Sequence, residues 1–488
     1  MPLSLRFESL DSRELLAADV LYIADGGTDS VQSFDASTGE YLGEFVAPAA
    51  AGLHGPGGMI FNRDSLLVVN QNVNTPFNGE VLRYDSATGA AQIPFVSQDS
   101  AGAPFAPRGV VIRDNVIYVA DFEGTTHPNI SKFDAATGAY IGELVPTGFD
   151  AEFRPRGLVF GPDGGLFVTV FSEGLFESAD PPGYVLRFDI KTGASRVVAW
   201  NDGNGVPGEG EVSNLHNPEG ITFSPNGSIY VTSNFGSQTT ENTHIIVIDP
   251  ATGHQLNEIE LDPRTLPENP TIVVAQAFVF GPSDKLFIPL TTVSLNDGVK
   301  LGGLWTYDPA TDELATFIAP SLFAPVLQFP EYLTFQQTNP ATLAYQPWHN
   351  FHDSLDVDRS SAIVPRDVLL VINELNHRTV STTSGKLQRS RGTSEFYFDV
   401  SGDGFVTPID ALLVINYLNR PADAALVATA RPQSSSTATA TETLGAVDVR
   451  FAAAIDGYFS TDSRIARRET ANFTTIYKTR QVSQAYEL

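Results

Sequence analysis

Short apolar runs separated by turn residues recur along residues 20–335 of the chain. Many of these runs are followed by Asp, two variable residues and Thr-Gly, after which another apolar run begins. Asp at the start of a turn and Gly near its end are typical of a hairpin between two strands. The turns begin at Asp35, Asp85, Asp134, Asp189 and Asp249, and a degenerate copy begins at Asp308. The pattern therefore predicts two strands in each of six repeats.

Two further strands are predicted before each hairpin. In the fourth repeat, Pro155-Arg156-Gly157 opens an apolar run, a turn follows at residues 161–164, and residues 166–169 form the next run. The same Pro-x-Gly frame occurs at Pro107 and Pro218, and a degenerate copy begins at Ala275. Four short strands per repeat, with turns between them and no helical period, indicate a β-propeller.

The ends of the repeat region predict how the ring closes. The first repeat lacks a Pro-x-Gly strand and opens directly at Val20, whereas an extra strand of that type lies at residues 330–335. Pairing of this late strand with the first repeat would leave no unpaired sheet edge. We therefore expect an all-β, six-bladed propeller over residues 20–336. The frame, with Ile117-Tyr-Val-Ala-Asp121 as its best copy, resembles the NHL repeat. This resemblance implies a fold that hosts lyases, lactonases and binding modules alike.

A second repeat, over residues 350–420, carries the most specific chemistry. Two Asp-rich segments of twelve residues each precede a nearly identical apolar run. Calcium takes six to eight oxygen ligands, and a twelve-residue loop supplies them from positions 1, 3, 5, 7 and 12, with a main-chain carbonyl at position 7. The first loop offers Asp356, Asp358, Ser360, the carbonyl of Ala362 and Asp367. The second loop offers Asp399, Ser401, Asp403, the carbonyl of Phe405 and Asp410.

These loops are each followed by one helix, and their last ligand is Asp instead of the Glu of an EF-hand. The combination resembles the type I dockerin domain, a small α-helical domain with two calcium loops. The resemblance implies two Ca²⁺ sites and docking onto a cohesin-like or other surface protein, often in systems that break down polysaccharide. Ser361 replaces the turn glycine that Gly404 supplies in the second loop, so we expect the second site to be the stronger. Pro365-Arg366 and Pro408-Ile409 occupy the positions of a Ser/Thr pair that contacts cohesin, which weakens the expectation of a cohesin partner.

Loop lengths indicate which end of the propeller binds. Connections between the first and second strands, and between the third and fourth, are short and share one face. Longer connections at residues 171–183, 201–214 and 291–303 emerge on the opposite face. Long loops on a rigid scaffold are where binding residues usually lie. The middle residue of each frame and the residues that end the second strands should meet at this mouth of the central channel.

Charged and imidazole side chains are the candidates for ligand binding at that mouth. They are Arg108, Arg156, Glu219, Glu331, Asp25, Asp121, His54 and His216. Two guanidinium groups are suited to a glycan or small ligand with a carboxylate, because each donates two parallel hydrogen bonds. The alternative is that these charges neutralise one another in a wet channel. His54 and His216, together with His127, allow a further alternative, a metal site over the channel.

Composition excludes several classes of protein. The chain has 488 residues, a formal net charge of −28 and no cysteine. Such a charge argues against binding to nucleic acid or anionic lipid, and no apolar run approaches the roughly 18 residues of a membrane span. Disulfides and thiolate metal sites are excluded as well.

The segments outside the two repeat regions have distinct compositions. Residues 1–19 resemble the short export tag of planctomycete-type bacterial proteins, through Phe7, Glu8, Leu10, Arg13 and Leu15 to Ala17. Residues 337–349 are predicted to be a linker. Residues 421–488 are predicted to be a Ser/Thr/Ala-rich linker and tail.

The sequence thus favours a secreted or cell-surface propeller that binds a ligand or partner and carries a dockerin-like calcium module. One alternative is a carbohydrate-active enzyme, a glycan hydrolase or lyase that uses the long-loop face. A purely structural surface protein is the third possibility. No nucleophile elbow, phosphate loop or zincin helix occurs in the sequence, so an enzyme is the less favoured class.

Overall fold

A computed structural model describes residues 19–419, except for nine short gaps. The gaps are residues 73–77, 124–126, 172–180, 205–207, 235–241, 263–271, 294–298, 322–325 and 389–393. The predicted export tag and the predicted C-terminal tail therefore lie outside the described residues.

The described part of the chain contains 24 strands and two α-helices. The strands are β1 (Val20–Asp25), β2 (Ser30–Asp35), β3 (Tyr41–Val46), β4 (Pro56–Asn62), β5 (Ser65–Asn70), β6 (Glu80–Asp85), β7 (Pro107–Arg113), β8 (Val116–Asp121), β9 (Asn129–Asp134), β10 (Tyr140–Leu144), β11 (Arg154–Phe160), β12 (Leu166–Phe171), β13 (Gly183–Phe188), β14 (Ser195–Asn201), β15 (Ile221–Phe223), β16 (Ile229–Ser233), β17 (His244–Ile248), β18 (Gln255–Glu260), β19 (Ile272–Val274), β20 (Val279–Phe280), β21 (Leu286–Val293), β22 (Lys300–Asp308), β23 (Glu313–Ile318) and β24 (Pro330–Phe335). The helices are α1 (Pro365–His377) and α2 (Pro408–Leu418).

The strands form six antiparallel sheets, which are the blades of a six-bladed β-propeller. Strands β7 to β10 form blade 3, β11 to β14 form blade 4, and β15 to β18 form blade 5. Blade 1 has the strand order β24-β1-β2-β3, so the last strand of the propeller completes the first blade. Leu21 pairs with Phe335 and Ile23 with Leu333 in this closure. Both the fold class and the predicted closing strand are confirmed.

Two blades depart from the regular four-strand pattern. Blade 2 contains β4, β5 and β6 only, and isolated bridges from Val81 to Val96 and from Tyr84 to Ala91 stand in for its outer strand. In blade 6, β21 and β22 pair as far as Val293 and Lys300. Residues 291–293 and 300–303 of the predicted long connection are therefore strand.

The aspartate turns follow the chemistry expected from the sequence. The Asp35 carboxylate accepts hydrogen bonds from the N–H groups of Ser37 and Thr38, both at 2.8 Å. Gly39 then adopts a φ of +74°, which a side chain would disfavour. The carboxylate satisfies main-chain donors that the tight turn leaves without a strand partner.

The frame glycines allow neighbouring blades to meet around the channel. A Cβ atom added to Gly157 would lie 2.3 Å from the carbonyl oxygen of Glu219 in the next blade. A Cβ atom added to Gly109 would lie 2.5 Å from the carbonyl oxygen of Arg156, and one added to Gly220 would lie 2.6 Å from that of Gln276. The repeated glycine is therefore required by the close approach of one inner strand to the next.

Gly157→Ala is expected to destabilise the propeller, because the new methyl group meets main-chain atoms that cannot move aside easily. Overpacking of this kind typically costs about 1–3 kcal/mol. Thermal unfolding should show a lower Tm. Gly26→Ala is the matched control, since its added Cβ finds no atom closer than 3.7 Å. Equal Tm values for the two variants would contradict this explanation of the frame.

The segment after β24 closes the channel at the short-turn face. Residues 339–345, here called the channel plug, form a turn in which the Asn339 carboxamide oxygen accepts hydrogen bonds from the N–H groups of Ala341 and Thr342. Leu343, with a φ of +54°, packs against three hydrophobic clusters that lie between blades 2 and 5. The composition predicted a linker here, whereas these residues are folded against the propeller.

The two helices and their loops form a small module with its own core. Trp348 is buried in this core and stacks on Phe398 with ring centroids 6.0 Å apart. Its indole N–H donates to the Gln388 carbonyl. Val371 from α1 and Val414 from α2 are fully buried in the same cluster. The module therefore begins at or before Trp348, directly after the channel plug.

Candidate functional site

The first calcium loop brings three carboxylates together. Ligand oxygens of Asp356, Asp358 and Asp367 all lie within 4.8 Å of one another. Main-chain N–H groups hold two of them in place: Ser361 donates to Asp356 at 2.7 Å, and Val364 donates to Asp367 at 2.9 Å. The sequence predicts Ser360 and the Ala362 carbonyl as further ligands, and here the Ser360 hydroxyl donates to that carbonyl at 3.3 Å.

In the second loop, main-chain N–H groups likewise donate hydrogen bonds to the carboxylates. Asp399 accepts from Gly402 and Gly404, both at 2.8 Å, and Asp410 accepts from Ser401 at 2.8 Å and Thr407 at 2.7 Å. The carboxylate of Asp403 instead accepts from the N–H of Phe405 at 2.9 Å. Asp399 and Asp410 are buried.

The donor set suits a hard cation. Burial raises the pKa of Asp356, and the neighbouring Asp367 raises it further. Burial likewise raises the pKa of Asp399, with Asp410 adding to the effect. Asp356 and Asp399 would thus bind a proton more readily than a free Asp, unless a cation compensates the shared negative charge. Oxygen ligands in this number fit Ca²⁺, which would neutralise that charge when bound.

One side chain competes for the first loop. The guanidinium Nε of Arg366 lies 3.3 Å from a carboxylate oxygen of Asp358, and its side chain is 66% exposed. The Asp358 side chain is only 5% exposed, so the pair is partly shielded from solvent. A divalent ion at Asp358 would have to displace this guanidinium.

Ser361→Gly is expected to strengthen calcium binding at the first loop. Ser361 has a φ of +64°, a conformation that costs a residue with a Cβ about 1 kcal/mol or more. Glycine removes this cost, so the Kd for this site should fall by about fivefold, as calorimetry would measure. Gly404→Ser is the reciprocal variant, because Gly404 has a φ of +81° at the equivalent position. An unchanged Kd in both variants would contradict this interpretation of the turn position.

The opposite mouth of the channel contains a cluster of charged and aromatic side chains. The guanidinium of Arg156 lies 3.6 Å from the ring centroid of Phe171 and 4.1 Å from that of Phe122. Glu219 lies 3.8 Å from Arg108 and 3.7 Å from Arg156. The four predicted frame residues Arg108, Arg156, Glu219 and Glu331 are thus placed around one mouth, together with Gln276, which donates to Glu331 at 2.9 Å.

Sequence reasoning missed Tyr332. Its hydroxyl donates to Glu219 at 3.2 Å, and burial raises its pKa well above the usual range. Tyr332 occupies the frame position at which four other blades have glycine, so an unusual side chain at a repeated position was the available signal. The contacts of Phe122 and Phe171 with Arg156 come from the tertiary fold and had no sequence signal.

Asp25 and Asp121, two predicted ligand-binding residues, have main-chain partners. Asp25 accepts hydrogen bonds from Gln328 and Phe329, both at 2.7 Å. Asp121 accepts from Phe105 at 2.7 Å and from Ala106 at 2.8 Å. Both carboxylates are buried, and each fastens the loop that leads into an adjoining inner strand. This geometry gives them a structural task that differs from the sequence prediction.

The histidines also lie in separate environments. His54 contacts the Asp29 carboxylate at 2.7 Å, and His127 contacts Glu143 at 3.0 Å. His216 is buried and lies 2.9 Å from the Pro181 carbonyl. Among the described residues, the carboxylates of the first calcium loop are the one group of three or more His, Cys, Asp or Glu with a spacing that suits a metal ion. The structure does not bring the histidines together.

The fold and the two loops define a class of protein, a six-bladed β-propeller joined to a helical module with paired acidic loops. Residues 354–443 match the Dockerin type I domain family. The chain thus carries a type I dockerin domain after its propeller. Dockerin domains generally bind calcium, typically bind cohesins, and occur in extracellular proteins.

Solved structures that resemble the chain have low sequence identity. A protein of unknown function from Bacteroides caccae is 12% identical, with a TM-score of 0.44, over 65% of this chain and 99% of that one. Virginiamycin B lyase from Staphylococcus aureus is 13% identical, with a TM-score of 0.38, over 63% and 82%. The calcium-binding protein regucalcin from Agrobacterium tumefaciens is 15% identical, with a TM-score of 0.33, over 54% and 73%. None of these similarities bears on function.

A search by sequence and a search for membrane-spanning helices both gave negative results. No curated protein matches the chain in sequence. Over the described ranges, no helix is both long enough and apolar enough to cross a membrane.

Proposed function

We propose that this protein is a secreted or cell-surface binding protein. Its dockerin domain attaches it to a cohesin-like partner when Ca²⁺ is bound, and the long-loop face of its propeller holds a ligand. The observation that carries the proposal is an exposed apolar stripe on α2. Ile409, Leu412, Leu413 and Tyr417 are 39% to 58% exposed.

The spacing of these residues supports a docking role. They recur at intervals of three, one and four positions, which places them along one side of the helix. Ala411 and Val414 face the module core from the other side. Exposed apolar stripes of this kind are typical of helical docking surfaces. Ile409 stands where a Ser/Thr pair was expected, so the partner surface should be apolar instead of hydrogen-bonding at that point.

Surface plasmon resonance against a panel of type I cohesin modules tests the docking. Binding should require Ca²⁺ and disappear in EGTA. Leu412→Asp should weaken it by about thirtyfold, which is the effect of losing one hot-spot contact of about 2 kcal/mol. Leu256→Asp is the matched control, since Leu256 is 58% exposed on blade 5. Absence of binding to every cohesin tested would count against this partner class.

For the propeller, we propose a glycan or small ligand with a carboxylate. The support is the guanidinium of Arg156, which lies 3.6 Å and 4.1 Å from two aromatic ring centroids and shares Glu219 with Arg108. A planar, oriented guanidinium suits bidentate binding of a carboxylate. The two glutamates at the same mouth make the cluster neutral overall, which favours a ligand with hydroxyl groups as well as charge.

An array of neutral and uronic-acid oligosaccharides tests this site. Retention of acidic glycans should be lost in Arg156→Lys, which keeps the charge but loses the planar donor. Arg187→Lys is the control, because Arg187 pairs with Asp163 at the short-turn end of blade 4. Release of shortened or unsaturated sugars would favour the alternative function, a glycan hydrolase or lyase. Equal retention of neutral and acidic glycans would contradict the proposed ligand class.

A further inference from the structure

The channel plug is joined to the inner strands by main-chain hydrogen bonds. The N–H of Ile112 in β7 donates to the Pro340 carbonyl at 2.7 Å, and the N–H of Phe160 in β11 donates to the Ala341 carbonyl at 3.0 Å. These two amides point into the channel, away from their partner strands. The plug thus supplies acceptors that the inner strands of blades 3 and 4 would otherwise lack.

Gln346 connects the plug to the second calcium loop. Its main-chain N–H donates to the Gln337 carbonyl at 2.9 Å. Its carboxamide oxygen accepts from Asn339 at 3.2 Å, and its carboxamide nitrogen donates to the Gly402 carbonyl at 3.4 Å. One side chain therefore contacts both the first residue of the plug and the turn of the calcium loop.

The first ligand position of that loop is held by the same segment. The N–H of Asp399 donates to the Trp348 carbonyl at 3.0 Å, and the His349 imidazole Nδ1 donates to the Asp399 carbonyl at 2.6 Å. A Cβ added to Gly402 would approach the His349 ring to 3.4 Å. The main chain of the loop is thus packed against residues 346–349 on two sides.

Other contacts between the module and the propeller are weaker. His352 pairs with Asp64, but these side chains are 44% and 74% exposed. Exposed ion pairs contribute from zero to about 1 kcal/mol. Gln336, a propeller residue, donates to the Ser86 carbonyl at 3.1 Å and does not touch the calcium loop in the described contacts. Gln346 therefore provides a hydrogen-bonded path from the calcium loop to the plug.

We propose that calcium binding at the second loop stabilises the plugged end of the propeller channel. Calcium orders the loop around Asp399, the ordered loop holds Gln346 and residues 348–349, and these hold the plug against β7 and β11. Two sites that bias one shared segment are energetically coupled. The inference rests on calcium binding by the dockerin domain and goes beyond it, because it assigns the ion an effect on the propeller.

Hydrogen exchange of the full chain, followed by mass spectrometry with and without Ca²⁺, tests the coupling. Buried module amides at Val371 and Val414 report calcium binding itself. Peptides that contain Ile112 and Phe160 report the plug, and strand β21 of blade 6 is the reference. Calcium should slow exchange at Ile112 and Phe160 by about tenfold, within the range typical of coupled sites, and should leave β21 unchanged.

Two variants separate the coupling from general stabilisation. Gln346→Ala should keep the calcium response of the module but lose the response at Ile112 and Phe160. Gln336→Ala, the matched control, should keep both responses. If calcium leaves the exchange rates at Ile112 and Phe160 unchanged while the module responds, the coupling alone is overturned. A chain in which no amide responds to calcium would overturn calcium binding and the coupling together.

Discussion

Chelation of calcium with EGTA should unfold the dockerin domain while the strands of the propeller persist. The reason is that Asp356, Asp367, Asp399 and Asp410 are buried in two small loops. Buried carboxylates without a compensating cation typically cost several kcal/mol each, and a module with two short helices has little stability to spare. Metal binding and folding should therefore be one event.

Two optical signals report this unfolding. Among the described residues, the only α-helices are α1 and α2, so the helical signal that these residues contribute to the circular dichroism spectrum comes from the dockerin domain. Trp348 is 3% exposed, and its fluorescence should shift to longer wavelength when the domain opens. A Trp348→Phe variant is the control, because it should lose the fluorescence shift and keep the loss of helical signal. Unchanged spectra after complete metal removal would refute a folding role for calcium.

Loss of the channel plug should destabilise the propeller. Leu343 packs against the clusters of four successive blades, so Leu343→Ala removes apolar contacts that the ring shares. Leu→Ala substitutions at packed sites cost roughly 2–5 kcal/mol, and a partly buried leucine belongs at the lower end. The positive φ is retained in alanine, so the change isolates packing from backbone strain.

Thermal unfolding monitored by Trp305, which is 1% exposed in blade 6, measures this effect. The Tm should fall by several degrees in Leu343→Ala and further in a chain that ends at residue 336. Leu369→Ala is the control, because Leu369 is 57% exposed on α1. A chain ending at residue 336 with the Tm of the full protein would mean that the propeller is complete without its plug.

The propeller was predictable because its signals are local and repeated. The Asp at the start of each turn and the glycine in each frame act on the neighbouring main chain. The repeat occurs six times, and each copy predicts the same kind of blade. The closing strand at residues 330–335 was identified because the first repeat lacked an inner strand, and this strand followed the sixth repeat without a hairpin of its own. The irregular outer strand of blade 2 had no such signal, because its bridges at Val96 and Ala91 are isolated and follow no repeated motif.

The calcium loops were predictable for the same reason, since their ligands lie within twelve residues of one another. The channel mouth was predictable only in part. Frame positions identified Arg108 and Arg156. The ligand role of Asp25 and Asp121 stays a prediction, because a carboxylate at a strand end serves main-chain donors as readily as a ligand. The plug was missed because the Pro/Thr/Ala composition of residues 339–345 favours a linker, and the packing of Leu343 is decided by the assembled ring.

Calorimetric titration of Ca²⁺ into the metal-free full chain tests the central claim most directly, that the module that contains Trp348 and the two acidic loops is a calcium-dependent docking domain on a propeller. We predict two ions bound per chain, one in a variant that combines Asp356→Ala with Asp367→Ala, and one in a variant that combines Asp399→Ala with Asp410→Ala. A wild-type chain that binds no calcium, or variants that bind as many ions as the wild type, would contradict the account.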